Sequence, residues 1–197
     1  MLHLRKLGLL HTATRTVSGL TLNEILDEWE QSPRRAQAHG ILTDLGISPN
    51  DVIMSPSLSK SRGLSSTVVF PTGNLAPEGS VIKATAIDPS VVNNKGIYYH
   101  KAKARVFTSE AAAIASIKGG VGIEPIKAYD IVVVMGIGPA GTGMEEIYQI
   151  TSALKYLPWG KTVSVLTDAR FSGVSTGACV GHIGPEALAG GPIGKLR

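Results

Sequence analysis

Hydrophobic positions along the chain follow two regimes: helical spacing near the start, then short β-branched runs separated by glycine-rich turns. Leu22, Ile25, Leu26 and Trp29 stand at i, i+3, i+4 and i+7, behind Thr21 and Glu24 at capping-box spacing. This predicts a short amphipathic helix. Ser32 and Pro33 suit the N-cap and first turn of a second helix, which Gly46 stops. Residues 1–19 carry no clear period, and residues 47–63, with Pro49, Asn50, Pro56 and several serines, read as a connection.

From residue 65 the pattern predicts strands at 67–70, 80–87 and 104–107, with a turn-rich loop at 71–79 and a loop or hairpin at 88–101. Thr108 or Ser109 caps an alanine-rich helix that ends at Gly119 and Gly120. Residues 131–135 are continuously apolar, as in a strand buried on both faces. That run enters GIGPAGTGMEE and a helix expected to continue to about Leu157, followed by a buried strand at 162–166. Strand, helix and strand imply a right-handed crossover, so two glycine-rich exits should meet at one sheet edge. The expected organisation is a helical arm and connection, 1–64, before an α/β domain, 65–197.

Composition narrows the class. Apolar residues make up 43% and charged residues 17%, an ordinary globular balance, and the 23 glycines favour turns over a helix bundle. Net charge is +4, with the excess around Lys95, Lys101, Lys103 and Arg105. No aromatic interleaving accompanies these cations, which argues against a nucleic-acid platform and leaves a solvated hairpin, an anionic substrate or a partner subunit. The single cysteine, Cys179, excludes an internal disulfide and any cluster made by this chain's thiols alone. No apolar run reaches the ~18 residues of a membrane span, and the first 19 residues are too broken for a signal peptide. Cytoplasm is the expected compartment.

Chemistry is expected in residues 166–192, LTDARFSGVSTGACVGHIGPEALAGGP, where Asp168, Arg170, Ser172, Ser175, Thr176, Cys179, His182 and Glu186 are interspersed with glycines behind a strand. Each candidate also has a structural role open to it. Ser172 and Ser175 suit turns, His182 suits a packed loop, and Cys179 suits a small buried apolar position. A Ser172–His182–Asp168 triad lacks a nucleophile elbow. Gly136, Gly138 and Gly141 spell G-x-G-x-x-G, yet no acidic residue follows at the distance needed to hold a ribose. Thr142 and Glu145 have capping-box spacing. Glu146 is then free either to complement the helix dipole or to ligate a hard cation such as Mg2+.

Four stretches in order, GNLAPEGSVIK, ARVFTSEAAA, GPAGTGMEE and TDARFSG followed by GHIGPEALAGGPIG, resemble the C-terminal region of the dihydroxy-acid and phosphogluconate dehydratase family over about residues 20–197. Ala169 and Val174, where the amino-acid biosynthetic branch has glycines, are most similar to the D-xylonate (aldonate) dehydratase branch. The resemblance implies a β-rich domain of the swivelling β/β/α barrel type with flanking helices. It also implies a hydro-lyase converting a 2,3-dihydroxy acid to a 2-keto-3-deoxy acid, with an iron–sulfur cluster acting on the departing 3-hydroxyl. By the same resemblance Ser172 matches the base for the C2 proton and Glu146 matches a Mg2+ ligand. Arg170, Gly173 and Ser175 then line the substrate beside Ser172.

A serine base needs its pKa lowered by about five or six units, about 7 to 8 kcal/mol. A divalent ion ~4 Å away supplies on the order of 8 kcal/mol at an effective dielectric of 20. The family's cluster cysteines and remaining Mg2+ ligands belong to an N-terminal half that this sequence does not contain. The expectation is therefore a catalytic half that needs that partner, is inactive alone, and assembles into dimers or tetramers. The competing expectation is a non-enzymatic remnant or module that binds an anionic ligand through the loops at 136–143 and 173–184.

Overall fold

The capping signals near the start of the chain form as helices in the computed structural model, which describes every residue except Arg62, Leu64, Ser65, Met144 and Val174. The chain divides into two compact units, Met1–Ser65 and Ser66–Arg197. The boundary expected between 64 and 65, and the branch-specific Val174, lie outside the described residues.

In the first unit, α1 (Leu2–Lys6) precedes α2 (Leu22–Gln31). Thr21 Oγ1 accepts from the Glu24 N–H at 3.3 Å while Glu24 Oε2 accepts from the Thr21 N–H at 2.7 Å, the reciprocal box that the spacing predicts. Ser32 caps α3 (Pro33–Asp44), and Gly46, at φ 71°, turns the chain out of it. No periodicity announces α1. It is held from outside, by Arg5 reaching Asp27 at 2.7 Å and Glu30 at 2.8 Å on α2. The expected connection also contains two short helices, α4 (Pro49–Val52) and α5 (Pro56–Ser61), each starting on a proline. Ile25, Leu26, Trp29, Leu42, Val52 and Ile53 line an apolar groove of about 610 Å³ in this unit.

The second unit is built on β1 (Gly79–Ile82), β2 (Ala104–Phe107), α6 (Glu110–Ile117), β3 (Ile131–Val134), α7 (Pro139–Thr142), α8 (Tyr148–Lys155), β4 (Ser164–Thr167) and β5 (Ala178–Gly184). The strands form one mixed sheet in the order β1-β5-β4-β3-β2, parallel except for the β1/β5 pair. Alternation along β3 divides the core. Val132 and Val134 pack toward α6 and α8 with Ile117, Ile147, Ile150 and Leu154, while Val133 faces Ala76, Ile183 and Ile193 on the other side. All three valines are buried, as a continuous apolar run in a parallel sheet requires.

Four local expectations change. Residues 67–70 give a single bridge, Val69 with Ile82, in place of a strand, and residues 84–86 turn as a 3-10 helix. The helix expected to run from 143 to 157 starts at Tyr148, because residues 145–147 pair with another segment. Residues 178–184, expected as loop, are the longest strand of the sheet. Glycines lower strand propensity, but β5 is zipped on both sides, to β1 and β4, so tertiary pairing outweighs propensity. Among the described residues no helix is long and apolar enough to cross a membrane.

Candidate functional site at the exits of the central strands

β3 and β4 run parallel and in register, from Ile131 beside Ser164 to Val134 beside Thr167, so their C-terminal exits lie side by side. This is the shared edge that the strand-helix-strand pattern predicts. Asp168, the first residue beyond β4, is fully buried. Its carboxylate accepts from the Gly136 N–H at 2.9 Å and the Ile137 N–H at 3.3 Å on the β3 exit, and from the Ala187 N–H at 2.9 Å on a third segment. Glu186 adds a second anchor, its Oε2 accepting from the Ala140 N–H at 2.8 Å.

These two carboxylates explain the glycine fingerprint. Gly136 has φ 76°, where side chains are strained. A Cβ on Gly138 would sit 2.6 Å from the Glu186 carboxyl and 2.8 Å from the Asp168 carbonyl oxygen. The bare N–H groups that bind a phosphate in a dinucleotide fold are here filled by the chain's own anions. Sequence reading names both residues without finding this role. The available signal was a carboxylate immediately after a buried strand whose neighbour exits through glycines.

The exit loop of β3 returns to the same place. Glu146 bridges Arg170 in parallel, with the Arg170 N–H donating to Glu145 O at 3.2 Å and the Ile147 N–H donating to Arg170 O at 3.0 Å. Thr142 does not cap a helix with Glu145. It ends α7, and its hydroxyl donates to Ile137 O at 2.9 Å. The extended pairing leaves Glu146 exposed and alongside the segment that carries Ser172 two residues on. The N-terminus of α8, without a local cap, is covered by Glu110, whose carboxylate accepts from Gln149 N–H at 3.1 Å and Ile150 N–H at 3.3 Å. Burial raises the Glu110 pKa, outweighing those hydrogen bonds.

The loop after β4 is braced from several sides. Arg170 Nη1 donates to Asp168 O at 3.0 Å, and its Nη2 lies 3.9 Å from Glu186. Ser172 is half-buried, and its carbonyl accepts from the Ser175 N–H at 3.1 Å. Gly173 is exposed, and its carbonyl is bound by the Lys83 ammonium. Ser175 is buried under the loop and accepts from Thr151 Oγ1 at 3.4 Å. His182, at φ 56°, accepts from the Phe171 N–H at 3.4 Å and meets the Phe171 ring edge-on at 5.2 Å. Burial, then the Arg170 charge, holds its pKa below the ordinary histidine range, so it serves as a neutral acceptor. Asp168 is engaged by three main-chain donors and His182 Nε2 by the Phe171 N–H.

A second polar cluster occupies the opposite end of β4. Ser164, buried, bonds Tyr98 OH at 2.6 Å and His100 Nδ1, while His100 Nε2 meets Tyr129 O at 2.8 Å. Beside it Asp88, Lys161, Val163, Thr176 and Ala178 line a cavity of about 450 Å³.

Comparison with known proteins places the chain in a family. Residues 54–197 match the family described as dihydroxy-acid/6-phosphogluconate dehydratase C-terminal. The chain belongs to this family. Across its whole length it is 63% identical to two proteins of Escherichia coli K12, D-xylonate dehydratase YjhG and D-xylonate dehydratase YagF. It is 40% identical to the dihydroxy-acid dehydratase of Aquifex aeolicus. The match covers 30% or 31% of each relative, so the chain spans under a third of their length.

For a member of the dehydratase family, the fit of the implied cofactors can be judged from the donors present. Cys179 is the second residue of β5 and is buried, and burial pushes its thiol up to about 12. A protonated thiol inside an apolar core does not suit a cluster ligand. Glu146, an exposed carboxylate at a loop edge, suits one ligand position of a hard cation. Among the described residues no group of three or more His, Cys, Asp or Glu is arranged to hold a metal. The remaining ligands of such an ion would come from outside them.

Proposed function

We propose that this chain is the C-terminal catalytic part of a sugar-acid dehydratase, a hydro-lyase that takes a 2,3-dihydroxy acid such as D-xylonate to the 2-keto-3-deoxy acid. The observation that carries this reading is the 63% identity, over the entire chain, to two D-xylonate dehydratases. The pairing of Glu146 with Arg170 supports it, because it sets an exposed carboxylate beside the Ser172 loop.

In this reading Ser172 Oγ takes the C2 proton as the C2–H bond breaks. The electron pair forms the C2–C3 double bond as the C3–O bond breaks, and the departing hydroxide takes a proton, balancing the one taken from C2, to leave as water. The resulting enol takes up a proton at C3 and gives up its O–H proton, which yields the 2-keto acid. Glu146 would hold Mg2+, whose positive charge would lower the pKa of Ser172 so that its oxygen is deprotonated and able to accept the proton. Arg170 contributes charge toward the substrate carboxylate, Gly173 leaves room for the substrate, and Ser175 keeps the loop in place from below. No step is assigned to Cys179. An N-terminal half carrying an iron–sulfur cluster would supply the Lewis acid for the leaving hydroxyl, none of whose ligands come from this chain, and the whole would be a cytoplasmic homo-oligomer. The five-stranded sheet is then part of a swivelling β/β/α barrel.

The anion-binding alternative depends on open glycine loops. The Gly136–Gly141 turn is filled by Asp168 and Glu186, and residues 178–184 are strand, so it has less to rest on.

The reading is tested by grafting this chain in place of the matching residues of YjhG and assaying D-xylonate anaerobically. Formation of the 2-keto acid is expected. A correctly folded, cofactor-loaded graft without turnover contradicts the reading. The chain alone, supplied with iron, sulfide and Mg2+, is expected to be inactive.

A further inference from the structure

Two carboxylates in the second unit have no part in the proposed reaction, yet they are the most heavily engaged acidic groups near it. Asp168 is fully buried and accepts three main-chain N–H donors from two other segments. Glu186 accepts from Ala140 and approaches Arg170. We propose that Asp168 and Glu186 are positioning residues of the dehydratase site: as the built-in anions of the Gly136–Gly141 turn, they fix the Glu146 segment against the Ser172 loop.

The argument starts from the topology. Parallel neighbours are not joined by a hairpin, so nothing in the β3/β4 ladder fixes how their exits are placed once pairing ends at Val134 and Thr167. Beyond Met135, whose N–H donates to Phe107 O at 3.0 Å, the chain makes a long excursion before α8 that three residues tie down. Asp168 holds its beginning, at Gly136 and Ile137, and Glu186 holds its middle, at Ala140. The backbone of Arg170 holds its end, at Glu145 and Ile147. Asp168 and Arg170 flank a single residue, and Ser172 follows two residues later, so the excursion closes onto the segment that delivers the base.

The same carboxylate of Asp168 ties in Ala187, and with it the turn that carries Glu186. The adjacent cation does not compete for it: Arg170 Nη1 bonds the Asp168 main-chain oxygen, not its carboxylate. Gly138 fits closely beside both residues, since a Cβ there would fall against the Glu186 carboxyl and the Asp168 main-chain oxygen. The glycine turn and the two carboxylates are therefore one unit. Its consequence is a fixed distance between the exposed carboxylate and the serine.

This inference rests on the dehydratase reading, and the test separates the two. Asp168→Asn, Glu186→Ala and Ser172→Ala are made in the YjhG graft, and turnover is measured with D-xylonate and with its C2-deuterated form. Asp168→Asn puts an amide N–H among N–H donors. It is expected to lower kcat by on the order of 10²-fold, the cost of a misplacement of about 1 Å at a reacting group. Glu186→Ala is expected to act in the same direction with a smaller loss. In both, the C2 deuterium isotope effect should rise, because a misplaced base makes C–H cleavage more limiting. A merely structural role would lower kcat by depleting folded enzyme and leave the isotope effect unchanged.

In the 197-residue chain itself, Asp168→Asn should speed hydrogen exchange at the Gly136, Ile137 and Ala187 amides. An unchanged isotope effect in folded variants, with Ser172→Ala inactive, overturns the positioning role and leaves the dehydratase reading standing. Full turnover by Ser172→Ala, or an inactive unsubstituted graft, overturns that reading and this inference with it. Should Asp168→Asn fail to fold, Glu186→Ala carries the same comparison, since the Glu186 side chain is 18% exposed.

Discussion

The two ends of β4 both carry a serine, a histidine and further polar groups, and they are built for different purposes. At the start of the strand, Ser164, Tyr98 and His100 bond one another in a cluster closed by the Tyr129 carbonyl, with the serine buried. At the other end the buried polar group, Asp168, is spent on main-chain donors, while Glu146 is left exposed at the rim. Having a serine near a histidine therefore says little. What separates a clamp from a site is whether the fixed groups hold each other or hold a frame around groups facing outward.

The largest contrast should appear on disabling each end. In the YjhG graft, Glu146→Gln is expected to cost on the order of 10²-fold in turnover at limiting Mg2+, partly restored at high Mg2+, with little change in thermal stability. Ser164→Ala should do the reverse, lowering stability by about 1 to 3 kcal/mol through the partners it strands, with turnover per folded molecule retained. Equal Mg2+ dependence of Glu146→Gln and the parent would remove Glu146 from the ligand set.

Glycine substitutions sharpen the comparison next. A Cβ on Gly160 would lie 1.8 Å from Leu154 O, a main-chain atom that cannot move aside, so Gly160→Ala should prevent the N-terminal end from forming. At Gly138, the closest atom belongs to the Glu186 side chain, at 2.6 Å, with the Asp168 carbonyl at 2.8 Å. Gly138→Ala is expected to yield folded protein destabilised by about 1 to 3 kcal/mol, with a larger fractional loss of turnover than of stability. Circular dichroism melts and activity per folded molecule distinguish these outcomes.

The smallest expected effect lies between the two ends, at Cys179. Burial raises its thiol to about 12 from an ordinary value of 9.0. Its contribution to stability is therefore complete below 9.0 and is lost as pH climbs through that window, because the unfolded thiol ionises first. Denaturant melts on the alkaline side should show a shallower loss for Cys179→Ala than for the parent. Parallel slopes would mean that the thiol reaches water in the folded state.

Much of this was legible where the determinant was local. The Thr21–Glu24 box, the Ser32–Pro33 start, the Ser109 cap and the three parallel strands at 104–107, 131–134 and 164–167 follow from neighbours within a few residues. The misses share a different cause. β5 is a strand because of its partners, Glu146 leaves the helix because it pairs with Arg170, and α1 is tied through Arg5 to residues more than twenty positions along, on α2. The G-x-G-x-x-G motif was visible, but its meaning was not, since the anions that fill it come from Asp168 and Glu186, far along the chain. At the site, Ser172 and Glu146 were candidates from the residues themselves and the base role came through family resemblance, while the frame around them emerged only from the fold.

The central claim is that the exposed edge beyond β3 and β4 performs dehydration with Ser172 as its base. Its most direct test is D-xylonate turnover by the YjhG graft carrying Ser172→Ala, compared with the unsubstituted graft at equal cofactor loading. The account predicts an active parent and a loss on the order of 10²- to 10⁴-fold in the variant, the range for removing a general base. Turnover by the variant at the parent's rate would contradict it.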